Sequence, residues 1–345
     1  MKIDAGGRIE AVKTKFKFFI CPKCYPFSAV CIVAVTLLFG VLASSAQTGI
    51  YLFTGSETTI NLNPGTYDIT AYGAQGGSGS ARVLGVNQGG LGAEMEGQFS
   101  FTAPTTLTLL VGGSGISLVN GYGGGGGGGG SFVVTGSNPL VIAGGGGGGL
   151  GAGGSGLTGT TGGTGGDFNG GIFNGGGGSG GNGGYGGTYS GYGLGVSGGG
   201  GGGYFSDGGS GGSSFLDGGA GGVGNNSGNG GSGGFGGGGG GGFYGGGGGG
   251  GYSGGGGGGN NGGGGGGSII DSSAIMVLSE VSGVASPNGS PNGEIIITSV
   301  PEPSALGLLV VGATTVLGYR RRVGIRKKFH LILHLASNKG AVRGQ

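Results

Sequence analysis

Two stretches of the chain alternate apolar and polar residues with the two-residue period of a half-buried β-strand. The first offers candidate strands at residues 51–53, 58–62, 66–72, 93–101, 107–111, 131–135 and 140–143, rich in Thr, Ile, Val and aromatics. The second offers residues 274–281 and 294–299. Within residues 66–72, Tyr67, Ile69 and Ala71 share one face while Thr66, Asp68 and Thr70 share the other. Asn63-Pro64-Gly65 predicts a turn, because proline presets the first dihedral and glycine accepts a positive φ. Nine or ten short strands around a large insertion predict an all-β fold, a β-sandwich or jelly-roll-like platform closed by its last strand.

The insertion has no periodicity of its own. Of 113 glycines in 345 residues, 86 fall between residues 121 and 270. Runs of six or more occupy residues 123–130, 144–149, 198–203, 236–242, 245–251, 254–259 and 262–267. Collagen requires glycine at every third position with abundant proline. Here glycines are consecutive, and no proline occurs between Pro139 and Pro287.

Both ends read as addresses. At the N-terminus, Lys13, Lys15, Lys17 and Lys23 precede an uncharged apolar run at residues 29–43 and the small residues Ser44, Ser45 and Ala46. That order is the tripartite form of a secretory signal, with cleavage expected between Ala46 and Gln47. An uncleaved anchor is the alternative. At the C-terminus, Val300-Pro301-Glu302-Pro303 precedes an apolar stretch at residues 305–317 and then Arg320, Arg321 and Arg322. Pro-Glu-Pro, an apolar stretch and an arginine cluster in this order resemble the PEP-CTERM sorting signal. The resemblance implies an exosortase substrate: exported, held briefly in the inner membrane, then cut near the motif and released or joined to the surface. Independently, the stretch suits a single membrane span with its arginine side cytoplasmic. Residues 323–345 add a basic tail that such signals ordinarily lack, with Arg326-Lys327-Lys328 beside an apolar patch. The chain thus divides into a signal peptide (1–46), a glycine-rich β-domain (47–299, glycine block near 121–267), a sorting signal with its span (300–322) and the tail (323–345).

The body carries phrases of its own. Gly73-Ala74-Gln75-Gly76-Gly77 ends a candidate strand, and Ser131-Phe132-Val133-Val134 follows a glycine run. Pro139-Leu140-Val141-Ile142-Ala143 opens another run, and Asn292-Gly293-Glu294-Ile295-Ile296-Ile297 closes the body. Together they resemble the glycine-rich domain of anaplastic lymphoma kinase with its bacterial relatives, and glycine-rich phage tail-tip adhesins. The resemblance implies a β-platform carrying an inserted bundle of left-handed polyglycine II helices. Ordering glycine costs about 0.5–1 kcal/mol more per residue than ordering alanine, so an isolated block stays a flexible linker. An extended three-residue-per-turn helix turns its amides outward, and without Cβ atoms its neighbours approach closely. A net gain of about 1 kcal/mol per hydrogen bond then matches the ordering cost. Packed helices require a scaffold that holds the ends of the runs; a disordered tether is the alternative.

Charge narrows the chemistry. Residues 47–299 hold Arg82 against ten acids, whereas the other basic residues lie at the two ends. Clustered Lys and Arg that would neutralise phosphates are missing, which excludes a nucleic-acid partner. The same span has no His, Cys or Lys, the ordinary general bases and nucleophile partners. Cys21-Pro22-Lys23-Cys24 has the spacing of a redox or zinc half-site but falls in the signal segment. Glu94 and Glu96 share a strand face as a solvated rim or, less simply, as paired glycosidase carboxylates. Gly162 to Asp167 begins like a calcium β-roll nonapeptide, but Asn169 takes its apolar position and no tandem series follows. No cofactor and no metal site is expected.

Fourteen of the 28 Phe and Tyr residues punctuate the glycine block. Tyr185, Tyr189, Tyr192, Tyr204, Phe205, Tyr244 and Tyr252 are candidates for surface binding, with rings that stack on sugars. They equally suit a cover for the glycine edges and their seam with the platform. The expected function is an exported, non-enzymatic structural or adhesive protein of the cell surface or extracellular polysaccharide matrix. The alternative is a glycan- or receptor-recognition module. Expected partners are signal peptidase, an exosortase-type processing enzyme, extracellular polysaccharide and, transiently, the inner membrane.

Overall fold

The alternating stretches form strands because one side of each must leave water while its backbone pairs with neighbours. The computed structural model describes residues 48–81, 85–118, 121–167, 174–189, 197–225 and 229–301. The expected cleavage pair Ala46 and Gln47, the motif residues Glu302 and Pro303, the span, Arg320 to Arg322, the tail and Tyr192 lie outside the described residues. Among the described residues, no helix is long and apolar enough to cross a membrane.

Two five-stranded antiparallel sheets pack face to face. The first has the order β1 (Thr48–Leu52), β12 (Glu294–Val300), β3 (Gly65–Tyr72), β6 (Gly92–Phe101) and β11 (Met276–Val284). The second has the order β10 (Ile269–Ile270), β9 (Asn138–Ala143), β8 (Ser131–Thr135), β7 (Thr105–Leu110) and β2 (Thr58–Leu62). A small hairpin, β4 (Gly79–Ala81) with β5 (Gly85–Asn87), completes the set. The last strand does not sit at an edge; it inserts between β1 and β3, paired with both.

The core lies between the sheets. Ile69 and Ala71 of β3, Met95 and Phe99 of β6 and Ile295 and Ile297 of β12 meet Leu107 and Leu109 of β7, Val133 of β8 and Val141 of β9. Tyr67 packs against the same cluster, so the predicted face of β3 is the inner one. On its other face, Asp68 accepts a hydrogen bond from Gln98 Nε2 at 2.7 Å. The Asn63-Pro64-Gly65 link does not join a hairpin. It bends the chain from the second sheet to the first, with Gly65 at φ +154° and the Tyr67 hydroxyl donating to the Asn63 carbonyl at 3.0 Å. The hairpin between β8 and β9 is closed instead by Gly136-Ser137, where Gly136 takes φ +57°, the positive φ that tight hairpin turns need.

The register separates two ends of this sandwich. At one end Thr48 faces Thr298, their hydroxyls 3.2 Å apart, so both connections to the chain termini depart side by side. At the other end the strands run on into glycine. Residues 73–77 continue β3, residues 112–116 continue β7, and the run 144–149 continues β9. The run 123–130 leads into β8 and the run 262–267 into β10. Ala93 N donates to Gly144 O and Gly293 N to Gly112 O, which ties the two sheets together at this end.

The inner face of β3 sets the stability of the platform. Replacing fully buried Ile69 with Ala should cost about 2–5 kcal/mol, measured as a shift of the chemical denaturation midpoint at unchanged slope.

Candidate functional site

Beyond the sandwich, hydrogen bonding changes from two directions to three. In the run 123–130, Gly124, Gly127 and Gly130 donate to Gly242, Gly239 and Gly236 at 2.7, 2.8 and 2.9 Å. Gly125 and Gly128 donate to Gly149 and Gly146, and Gly126 and Gly129 donate to Ile116 and Gly113. The carbonyls follow the same three-residue rhythm. Those of Gly124 and Gly127 accept from Gly231 and Gly234, those of Gly125 and Gly128 from Gly247 and Gly250, and those of Gly126 and Gly129 from Gly77 and Ala74. One segment is therefore bonded to six neighbours. The run 245–251 repeats the pattern: Gly246 and Gly249 donate to Asn261 and Gly264, Gly247 and Gly250 to Gly125 and Gly128, and Gly248 to Gly199.

Such spacing leaves no room for side chains. A methyl group on Gly127 would be driven into the Gly248 carbonyl, and one on Gly249 into the Gly145 carbonyl. Serine hydroxyls handle the seams where the lattice meets other backbone. Buried Ser131 Oγ accepts from Gly112 N at 3.0 Å and donates to Tyr72 O at 2.6 Å. Ser253 Oγ accepts from Gly181 N at 3.0 Å and donates to Thr160 O at 2.6 Å.

The aromatic residues fall into three groups. Tyr204, at 0% exposure, is buried with Phe215 against Leu110, Phe132, Val134 and Ile142 on the outer face of the second sheet. Its ring stacks on Phe215 at 5.2 Å and 9°, and its hydroxyl donates to Ser137 O at 2.9 Å. Tyr252 packs half-buried on the same cluster. The expectation of a surface-binding ring fails for Tyr204, because the apolar outer face of the second sheet needs a cover and this ring supplies it. Tyr185 and Phe205 are exposed, at 70% and 53%, and the structure does not bring them together with the others as one surface. Phe205 lies edge-on to Tyr204 at 4.9 Å and 84°.

The third group gathers at the far tips of the glycine segments. The reversal between the runs 236–242 and 245–251 is Phe243-Tyr244, bracketed by Gly242 N donating to Gly245 O at 2.8 Å. Tyr244 stacks on Tyr189 at 4.6 Å and 19° and meets Phe243 edge-on at 4.6 Å and 78°. Phe243 and Tyr244 border a surface cleft of about 420 Å³, which is also lined by Tyr122, Leu150, Asn260 and Ser80 with its neighbour Ala81. Each comes from the end of a different segment: Tyr122 precedes the run 123–130, Leu150 follows 144–149, and Asn260 follows 254–259. Mutual bonds between Ser80 and Gly123, each amide donating to the other's carbonyl at 2.9 Å, hold β4 to this edge. Of the candidate rings, the structure brings Tyr189 and Tyr244 together. Tyr122 and Asn260 were not singled out from sequence, although both flank long glycine runs as Phe243 and Tyr244 do.

A second surface is the outer face of the first sheet, where Glu94 and Glu96 lie beside Asp68, Tyr72 and Glu294. Burial, and then the charges of Glu94, Glu96 and Glu294, push the Tyr72 phenol from 10.0 up to about 12. Burial, opposed by a hydrogen bond from Thr70 and reinforced by the charges of Asp68 and Glu94, raises the Glu96 carboxyl. Among the described residues, no group of three or more His, Cys, Asp or Glu side chains is placed to hold a metal ion. No protein-family model matches the chain, and no curated protein matches it.

Gly127→Ala should destabilise the body by about 3 kcal/mol or more, because its new methyl meets fixed backbone. Gly159→Ala, where nothing lies nearby, should stay within about 0.5 kcal/mol in the same denaturation assay. Tyr72 should titrate near pH 12 by phenolate absorbance, a step that Tyr72→Phe removes. Since the folded phenol keeps its proton above the unfolded value of 10.0, its stabilising contribution is complete below pH 10 and lost as pH rises through about 12.

Proposed function

We propose that this chain is an exported, non-enzymatic structural or adhesive protein of a bacterial cell surface or extracellular polysaccharide matrix. Its glycine segments are polyglycine II helices, and their bundle is a stiff, side-chain-free body on a β-sandwich base. The observation that carries this is the three-direction hydrogen bonding of the run 123–130, whose donors change partner with a period of three. A helix with three residues per turn has that period, and a flexible linker has no such pattern. An eight-residue run of this kind is about 25 Å long at ~3.1 Å per residue.

Export and sorting rest on the two ends of the sequence. Signal peptidase removes residues 1–46, and an exosortase-type enzyme cuts near Val300, Pro301, Glu302 and Pro303 after the span preceding Arg320, Arg321 and Arg322 has paused in the inner membrane. Thr48 and Thr298 pair at the end of the sandwich away from the glycine runs. The rival reading, a displayed recognition module, is favoured by the ring-lined cleft at the array tips.

Two measurements on the exported protein test the proposal. Amide hydrogen exchange should show protection across the glycine runs comparable to that of the β-strands. Intact mass with cell fractionation should find a surface or released product trimmed at both ends. Rapid exchange throughout the runs, or a full-length cytoplasmic product, would overturn it.

A further inference from the structure

We infer that the cleft bordered by Tyr122, Phe243 and Tyr244 binds a neutral saccharide segment of a polysaccharide chain. The inference deepens the surface-protein reading above and rests on it. A pyranose ring has a face of C–H bonds and a rim of hydroxyl groups. Its recognition therefore calls for a flat apolar wall beside polar groups that both donate and accept. The cleft has both. Tyr122 is 50% exposed and Tyr244 is held flat by its stack on Tyr189. Ser80 and Tyr122, which both line it, bring hydroxyls that donate and accept. Its volume of about 420 Å³ falls within the roughly 300–1,000 Å³ usual for small-ligand sites.

Charge selects among carbohydrates. None of the described lining residues is charged, so a uronate, sulfate or phosphate finds no counterion among them. The span 47–299 holds ten acids against Arg82 and repels polyanions as a whole. Arg82, next to Ala81 in sequence, lies outside the described residues, and the test below includes it.

Rigidity and placement complete the case. The lining residues sit on segment ends fixed by hydrogen bonds: Gly242 to Gly245 around the ring pair, Ser80 to Gly123 beside Tyr122, and Asn87 Nδ2 donating to Leu150 O at 2.9 Å. A site already ordered loses little freedom when its ligand arrives. It also lies at the end of the glycine segments away from the sandwich, opposite the departure points at Thr48 and Thr298.

Affinity electrophoresis of the exported protein tests the inference, in gels containing hydroxyethylcellulose, dextran or the polyanion alginate. Retardation by at least one of the two neutral glucans is expected, with none by alginate. Tyr244→Ala and Tyr122→Ala should each weaken it at least tenfold. Tyr185→Ala and Arg82→Gln should leave it within about twofold. Amide exchange on each variant checks that the array is intact. No retardation by either neutral glucan, alginate retardation lost in Arg82→Gln, or glucan binding undiminished in both alanine variants of the cleft with a protected array would overturn the inference while leaving the surface-protein reading in place. An unprotected array in the parent protein would instead remove that reading.

Discussion

A buried peptide group must find a partner for its N–H and its C=O, and in this protein that requirement is met without side chains. A β-sheet satisfies the backbone in one plane and uses the two remaining directions for side chains. The glycine segments use all their directions for backbone. This is possible only where no Cβ keeps neighbours apart, and the virtual methyl groups at Gly127 and Gly249 meet carbonyls for that reason. The abundance of glycine is therefore a packing requirement. Because ordering glycine is entropically expensive, the lattice also depends on a scaffold that fixes where its segments begin.

The sandwich is that scaffold, and the two parts share their ladders. The antiparallel pairing of β8 with β9 continues as that of the run 123–130 with the run 144–149, so register in the apolar core sets register in the glycine lattice. The dependence is mutual. The second sheet has an apolar outer face at Leu110, Phe132, Val134 and Ile142, and Tyr204 and Phe215 from within the glycine block close it. Seam serines such as Ser131 and Ser253 bond backbone on both sides, which removes unpaired groups where two lattices meet.

The glycine lattice offers little but backbone, and it is chemically plain. Phe243 and Tyr244 stand where segments reverse, and the rings at such ends converge as a consequence of packing the segments in parallel and antiparallel register. Phe243 and Tyr244 meet Tyr122 and Asn260 because the runs end at the same level. A cleft thus arises from several loop tips, none of which has a recognisable motif.

Much of the platform was legible in the sequence. Alternation located β2, β3, β6, β7, β8, β9, β11 and β12 to within a few residues, since one side of each must be apolar to enter a core, β11 excepted, which is paired at an edge and largely exposed. Glycine runs and their flanking rings were equally visible, and so was the choice between a tether and an array. Partnership was not. Polyglycine has no side-chain pattern from which to read a register, so which runs adjoin, and hence which rings meet, is decided only by how the strands of the sandwich aim them. For the same reason Tyr204 and Tyr244, alike in local sequence, end in a core and at a cleft. Composition determined that any order in the glycine block would have to come from backbone packed on backbone; the tertiary structure decided that it is ordered and where side chains are left to meet anything else, because only three-dimensional register brings distant chain reversals to one place.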